Sequence, residues 1–164
     1  MVEVHAALVE SESLAQLNAV TGPVAGLNVD ELNRFRQRTR VARLTDFRHA
    51  LLTQPQTVLR LRLDEGSVEA TSGEEDAEMV VVQGGVAHAV VIWHTLVLTP
   101  GHRVTTAPDA ADPSARQVFY YLSRDGRPCH VFERQEIRLT LRWGARLLEL
   151  GLRGRAEDVE ELHM

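Results

Sequence analysis

The sequence predicts a mainly β protein, a β-barrel or barrel-like sandwich with a short helical arm inserted near its start. Three observations predict it. Gly84 to Leu98 is a long run in which both parities are mostly apolar, the pattern of a strand covered on both faces. Gln117 to Leu122 (QVFYYL) is a second run of β-favouring residues. Ile137 to Trp143 and Arg146 to Leu152 carry alternating apolar positions on either side of Gly144–Ala145, which reads as a hairpin with a two-residue, glycine-first loop. A count of about seven or eight strands with few long helices sets the class, and barrel closure would remove the edges such a sheet otherwise exposes.

The 164 residues suit one domain, taken here as 1–154 with an acidic tail at 155–164. The formal charge of −5 gives the whole chain no general attraction for nucleic acid or acidic membranes. Every basic residue apart from histidine is arginine. One cysteine, Cys129, excludes an internal disulfide and a cysteine-rich zinc site, and fits a reducing compartment. No apolar run approaches about 18 residues, so no helix is expected to span a bilayer. The start, MVEVHAALVESES, lacks the pattern of a signal peptide, and the expected location is the cytoplasm or nucleus.

In chain order, Val2 to Val9 reads as an opening strand. Ser11 to Val20 places Leu14, Leu17 and Val20 three apart behind Ser11 or Ser13 as N-cap, the signature of a short amphipathic helix. Gly22, Pro23 and Gly26 break it, and Asn28 with Glu31 has capping-box spacing ahead of a second helix carrying Val29, Leu32 and Phe35. Two small helices bury little between themselves, so this arm, about 11–37, needs a surface to lie on. Arg34 to Arg43 holds five arginines. With few aromatics between them and an acidic chain around them, they read as a solvated face rather than a nucleic-acid arm.

Thr45 to Pro55 leads into a strand with Leu59, Leu61 and Leu63 on one side and Arg60 and Arg62 on the other. Asp64 to Glu78 is acidic and glycine-containing and reads as an exposed loop; its carboxylates lack the spacing of a calcium loop. Glu78 to Gln83 is a short strand before the Gly84–Gly85 break. Thr99 to Ala115 is a polar, proline-interrupted loop, and Ser123 to His130 a turn centred on Asp125–Gly126.

Little of this carries chemistry. His88 and His94 share a parity but lie about 20 Å apart at strand rise, too far to share an ion whose metal–nitrogen bonds are near 2 Å. They read as histidines hydrogen-bonded within or at the rim of the sheet. Cys129 and His130 point apart on an extended backbone and make no nucleophile pair. Neither a phosphate-binding glycine loop nor a nucleophile elbow occurs. Trp93 and Trp143 alternate with aliphatics and read as core.

The ordered set of segments resembles the C-terminal half of the protein arginine methyltransferase family. Ala7 to Arg36 (ALVESESLAQLN, then VAGLNVDELNRFR) is similar to the family's helical dimerisation arm. TDFRHALLTQP resembles the segment before the next barrel strand, and the central run resembles the long barrel strand. VTTAPDAADPSARQVFYYL resembles the stretch that leads through a threonine–histidine–tryptophan loop to a glutamine and V-F-Y. The likeness covers about residues 6 to 153. It implies a barrel with a dimer arm whose contact residues are Leu14, Leu17, Leu32 and Phe35, which should leave an apolar patch that drives self-association.

The resemblance also implies absences. The S-adenosylmethionine-binding domain is missing, with its glycine-rich loop and paired glutamates. Counted back from Val118–Phe119–Tyr120, the threonine–histidine–tryptophan positions fall on Asp112, Pro113 and Ser114, a degenerate substrate-groove loop. No catalytic, cofactor-binding or metal-binding residue carries over. The implied role is the barrel and dimerisation portion of an arginine methyltransferase, inactive alone and partnered by a cofactor-binding methyltransferase domain or a second protomer, with protein or peptide as substrate and neither nucleic acid nor membrane as partner. The alternative is a stand-alone β module that binds a protein or peptide without enzymatic activity.

Overall fold

Neighbouring residues of the central strand pack into two different hydrophobic cores, and this determines the architecture. The computed structural model describes residues 1–18, 37–62, 72–112, 114–122, 129–144 and 147–154. Among these, the chain runs β1 (Val2–Glu10), α1 (Glu12–Gln16), β2 (Thr39–Ala42), a 3-10 turn at Leu44–Asp46, β3 (Ala50–Leu51), β4 (Gln56–Leu61) and β5 (Gly73–Val80). It continues with β6 (Gly85–Ala87), β7 (Ala89–Thr99), β8 (His102–Thr105), β9 (Gln117–Tyr121), β10 (Cys129–Val131), β11 (Glu136–Gly144) and β12 (Leu147–Gly154).

A seven-stranded sheet has the order β2-β9-β7-β1-β3, with β4 also pairing β1 and β8 pairing β7. Because strand side chains alternate between faces, each of its central strands feeds both sides. Ala6, Leu8, Val90, Ile92, Tyr120 and Leu122 enter the first core, where Met79, Ile137, Leu139, Leu141 and Leu150 of the other strands join them. Ala7, Val9, Ala89, Val91, Trp93, Phe119 and Tyr121 enter a second core, closed over by Leu14 of α1 and Leu44 of the 3-10 turn. The two-faced burial expected of the central run is present, and Trp93 is core.

That run is nevertheless two strands. β6 pairs with β10, β7 pairs with β1 and β9, and His88 sits at the break between them. The sheets therefore do not form a closed barrel among the described residues: a three-stranded sheet, β12-β11-β5, and the two-stranded β10-β6 stand apart from the main sheet. The join to β5 is a stitch rather than a ladder. Leu52 N–H donates to the Leu8 carbonyl at 2.9 Å, Val82 N–H to the Leu52 carbonyl at 2.8 Å, and Thr53 bridges Val81. The buried Thr53 hydroxyl accepts from Leu8 N–H at 3.0 Å, so the stitch leaves no orphaned donor there. The fold is mainly β and barrel-like, with a shared core rather than a continuous wall.

The acidic stretch expected to be a loop departs most from the sequence reading. From Gly73 to Val80 it is a strand, paired antiparallel with β11. Glu74 meets Arg142 at 2.7 Å, Asp76 accepts from the Thr140 hydroxyl at 2.6 Å, and Glu78 lies 3.5 Å from Arg138. Met79, on the other parity, is fully buried. Cross-strand complementarity thus offsets the poor β-propensity of acidic residues. β8, inside the polar loop expected at Thr99 to Ala115, forms a hairpin with β7 through Pro100–Gly101, where Gly101 takes a φ of 92° that favours glycine. β2 lies within the arginine-rich run and pairs with β9, and β10 lies at the end of the expected Ser123–His130 turn. At the closing hairpin Gly144 still pairs, with Leu147, so the connection shifts to 145–146, which lie outside the described residues.

Candidate functional site

Two places gather the residues singled out by sequence: the loop before β9 and the corner where α1 leaves β1. In the loop, Asp112 is turned back on its own backbone. Its Oδ1 accepts from Ser114 N–H at 2.8 Å and from the Ser114 hydroxyl at 2.7 Å. The hydroxyl bond, then the N–H bond, hold the Asp112 carboxyl below the usual carboxylate range, with Arg116 and Arg43 acting in the same direction. Asp112 and Ser114 are exposed, and Pro113 lies outside the described residues. The Asp112 side chain therefore shapes a turn.

The base of this loop is fixed by Gln117, which is 1% exposed. Its Nε2 donates to the Thr106 carbonyl at 2.6 Å, and its Oε1 accepts from Leu44 N–H at 2.7 Å. One buried amide thereby ties together the end of the β7–β8 hairpin, the 3-10 turn and the first residue of β9. In the sequence it is only the first residue of the β-favouring run QVFYYL. A lone amide at the head of an otherwise apolar strand was the available signal, since a buried amide must find partners.

At the other corner, Ser11 caps α1, its hydroxyl accepting from Leu14 N–H at 3.3 Å and donating to the Arg48 carbonyl at 2.8 Å. The Ser11 N–H donates to His88 Nδ1 at 3.0 Å. Burial lowers the His88 pKa, against the pull of Glu10 and Glu12. His94 hydrogen-bonds Thr106 through its ring and backbone at the exposed rim. Both histidines are accounted for within the sheet. Among the described residues no group of three His, Cys, Asp or Glu is placed to hold a metal ion.

The four expected arm contacts divide. Leu14 is fully buried in this chain's own second core, so it lies beneath the surface and adds nothing to an exposed patch. The shortness of the helix is the reason: it ends at Gln16, so Leu14 sits in the turn held on the sheet while Leu17 is the C-cap beyond it and is 52% exposed. Leu32 and Phe35 lie outside the described residues. A second apolar surface was not anticipated: Leu98 and Val104 on the β7–β8 hairpin are 60% and 55% exposed. Cys129 is half-buried, and burial pushes its thiol pKa up, the opposite of an activated nucleophile. No described helix is long and apolar enough to cross a membrane.

The family described as the arginine methyltransferase oligomerization subdomain matches residues 2–146. No curated protein matches the chain. Among solved structures, the Trypanosoma brucei PRMT1 enzyme–prozyme heterotetrameric complex with AdoHcy contains a chain with the same fold, at a TM-score of 0.64 and 12% identity, covering 98% of this chain and 55% of that one. This chain thus spans about half the length of the solved chain it matches.

Proposed function

The chain belongs to the arginine methyltransferase family by its oligomerization subdomain, and from that premise we propose that it is the barrel-like, partner-contacting portion of a protein arginine methyltransferase, inactive by itself. The domain is taken as residues 1–154 and the acidic tail as 155–164, with the arm over about 11–37. The match to an oligomerization subdomain over residues 2–146 carries this reading.

Physical requirements support it. Methyl transfer to a guanidinium depends on a bound donor and on carboxylates that position and stabilise the cationic acceptor. On this reading the donor belongs to residues outside this subdomain, because the family likeness lies in its oligomerization part. The donor would be bound by a cofactor-binding methyltransferase domain, the proposed partner, or by a second protomer's. The loop around Asp112 and Ser114 would form a wall beside a protein or peptide substrate. Leu17 on one side and Leu98 with Val104 on the other offer apolar surface for a partner to cover. The setting proposed is the cytoplasm or nucleus.

Calorimetric titration of S-adenosylmethionine into this chain alone tests the reading, with no heat of binding expected. Sedimentation should show self-association that rises with concentration. Donor binding by the chain alone would remove the proposal, and a strict monomer that ignores every cofactor-binding domain would favour the stand-alone protein- or peptide-binding module.

A further inference from the structure

We propose that His88 is a proton-controlled latch that holds helix α1 on the sheet through the backbone N–H of Ser11. Nδ1 of His88 accepts that N–H at 3.0 Å, which requires the imidazole to be neutral with its proton on Nε2. The latch sits where several elements meet. His88 N–H donates to the Val9 carbonyl at 2.9 Å, and Leu122 N–H donates to the His88 carbonyl at 3.1 Å, so the backbone of His88 is fixed from β1 and from the end of β9. Only its side chain is free to change partners.

Ser11 is 2% exposed and serves three roles at once. Its hydroxyl caps α1 and reaches the Arg48 carbonyl, its own carbonyl accepts from Ala15 N–H, and its N–H reaches His88. Protonation of Nδ1 sets two donors against each other across 3.0 Å and leaves a buried N–H without an acceptor. The ring must then turn away or Ser11 must move, and moving Ser11 removes the cap and the carbonyl that begin α1.

Burial disfavours the imidazolium and lowers the His88 pKa, and Glu10 at the end of β1 and Glu12 in the first turn of α1 act in the opposite direction, towards the charged ring. The Glu10 carboxylate is held in place, its Oε1 accepting from Val86 N–H at 3.1 Å. From β10, Cys129 lies opposite Ala87, and burial keeps its thiol neutral. The carboxylates thus oppose part of the cost of charging the ring. The latch stands on the hydrogen-bond geometry; its consequence for association rests on the oligomerization reading, because α1 carries the exposed Leu17.

Backbone NMR of the whole chain from about pH 7.5 down through the His88 ring titration, which burial moves below 6.5, tests it. The Ser11 amide shift is expected to follow the His88 ring titration. Exchange protection at the Leu14 and Ala15 amides, corrected for intrinsic rates, is expected to fall about tenfold, as the loss of one buried hydrogen bond implies. In His88→Asn, whose Oδ1 can replace Nδ1 as acceptor but does not titrate, protection should stay constant. A Ser11 amide that ignores the His88 titration in the native chain overturns the latch whether or not the variant folds. So does an equal loss of protection in both proteins. An intact latch in a chain that never self-associates would leave it standing and count against the oligomerization reading instead.

Discussion

The indole of Trp143 occupies the space that a side chain at Gly73 would need. The two residues are directly opposed across the β5–β11 pair, and a Cβ at position 73 would come within 2.3 Å of Trp143 Cζ2. Trp143 packs against the first core from this position. The start of β5 is therefore glycine for a steric reason rather than for turn formation.

Gly73→Val should destabilise the fold by about 1–3 kcal/mol, the usual cost of overpacking. Urea unfolding measures this. Combining it with Trp143→Leu should recover part of the loss, since the clash is removed. Additive losses in the double variant would show that the two side chains do not compete for space.

Leu14 and Leu17 should respond in opposite ways. Leu14→Ala empties a fully buried site and should cost about 2–5 kcal/mol. Leu17→Asp alters an exposed position and should change stability by less than about 0.5 kcal/mol while weakening self-association. Unfolding and sedimentation equilibrium together check the pair. Unchanged association in Leu17→Asp would remove α1 from the partner surface.

Gln117→Leu keeps the apolar bulk but strands Leu44 N–H and the Thr106 carbonyl, at an expected cost of about 1–3 kcal/mol. Hydrogen exchange should show the amides of 106–116 losing protection before those of β9. Uniform loss across the sheet would mean that Gln117 supports the core and does not fix the loop.

Stability should fall on mild acidification. His5, stacked on Trp93 at 5.7 Å and bonded to Thr57, and His88 both have pKa values lowered chiefly by burial. The unfolded chain therefore binds more protons than the folded one over the interval between the lowered values and about 6.5. Stability is full above that value, declines as pH falls through it, and stops declining from this cause below the folded-state values. Chemical denaturation across this range measures the slope, and a rise in stability on going from about pH 7 to about pH 6 would contradict it.

What the sequence revealed and what it concealed share a physical cause. Periodicity reports burial, so the two-faced central run, QVFYYL and the alternation at Leu59 to Leu61 and Ile137 to Leu141 were legible. β5 was hidden because its outward positions are Glu74, Asp76 and Glu78, whose partners Arg142, Thr140 and Arg138 lie sixty or more residues away. Only Ala77 and Met79 marked its inner face. The break at His88 was hidden too, because a strand that changes sheets keeps its apolar composition. Ser11 was legible as a cap; its tie to His88 was not, since a backbone donor leaves no trace in residue type. β8 is hidden within the polar Thr99 to Ala115 stretch because HRVT is polar and mostly exposed.

The most direct test of the central claim is methyl transfer from S-adenosylmethionine to an arginine-containing peptide. It would be measured for this chain, for a cofactor-binding methyltransferase domain from the same genome, and for the two combined. The account predicts no transfer by the chain alone and more transfer by the pair than by the catalytic domain alone. Transfer by this chain alone, or a pair no more active than its catalytic member, would contradict it.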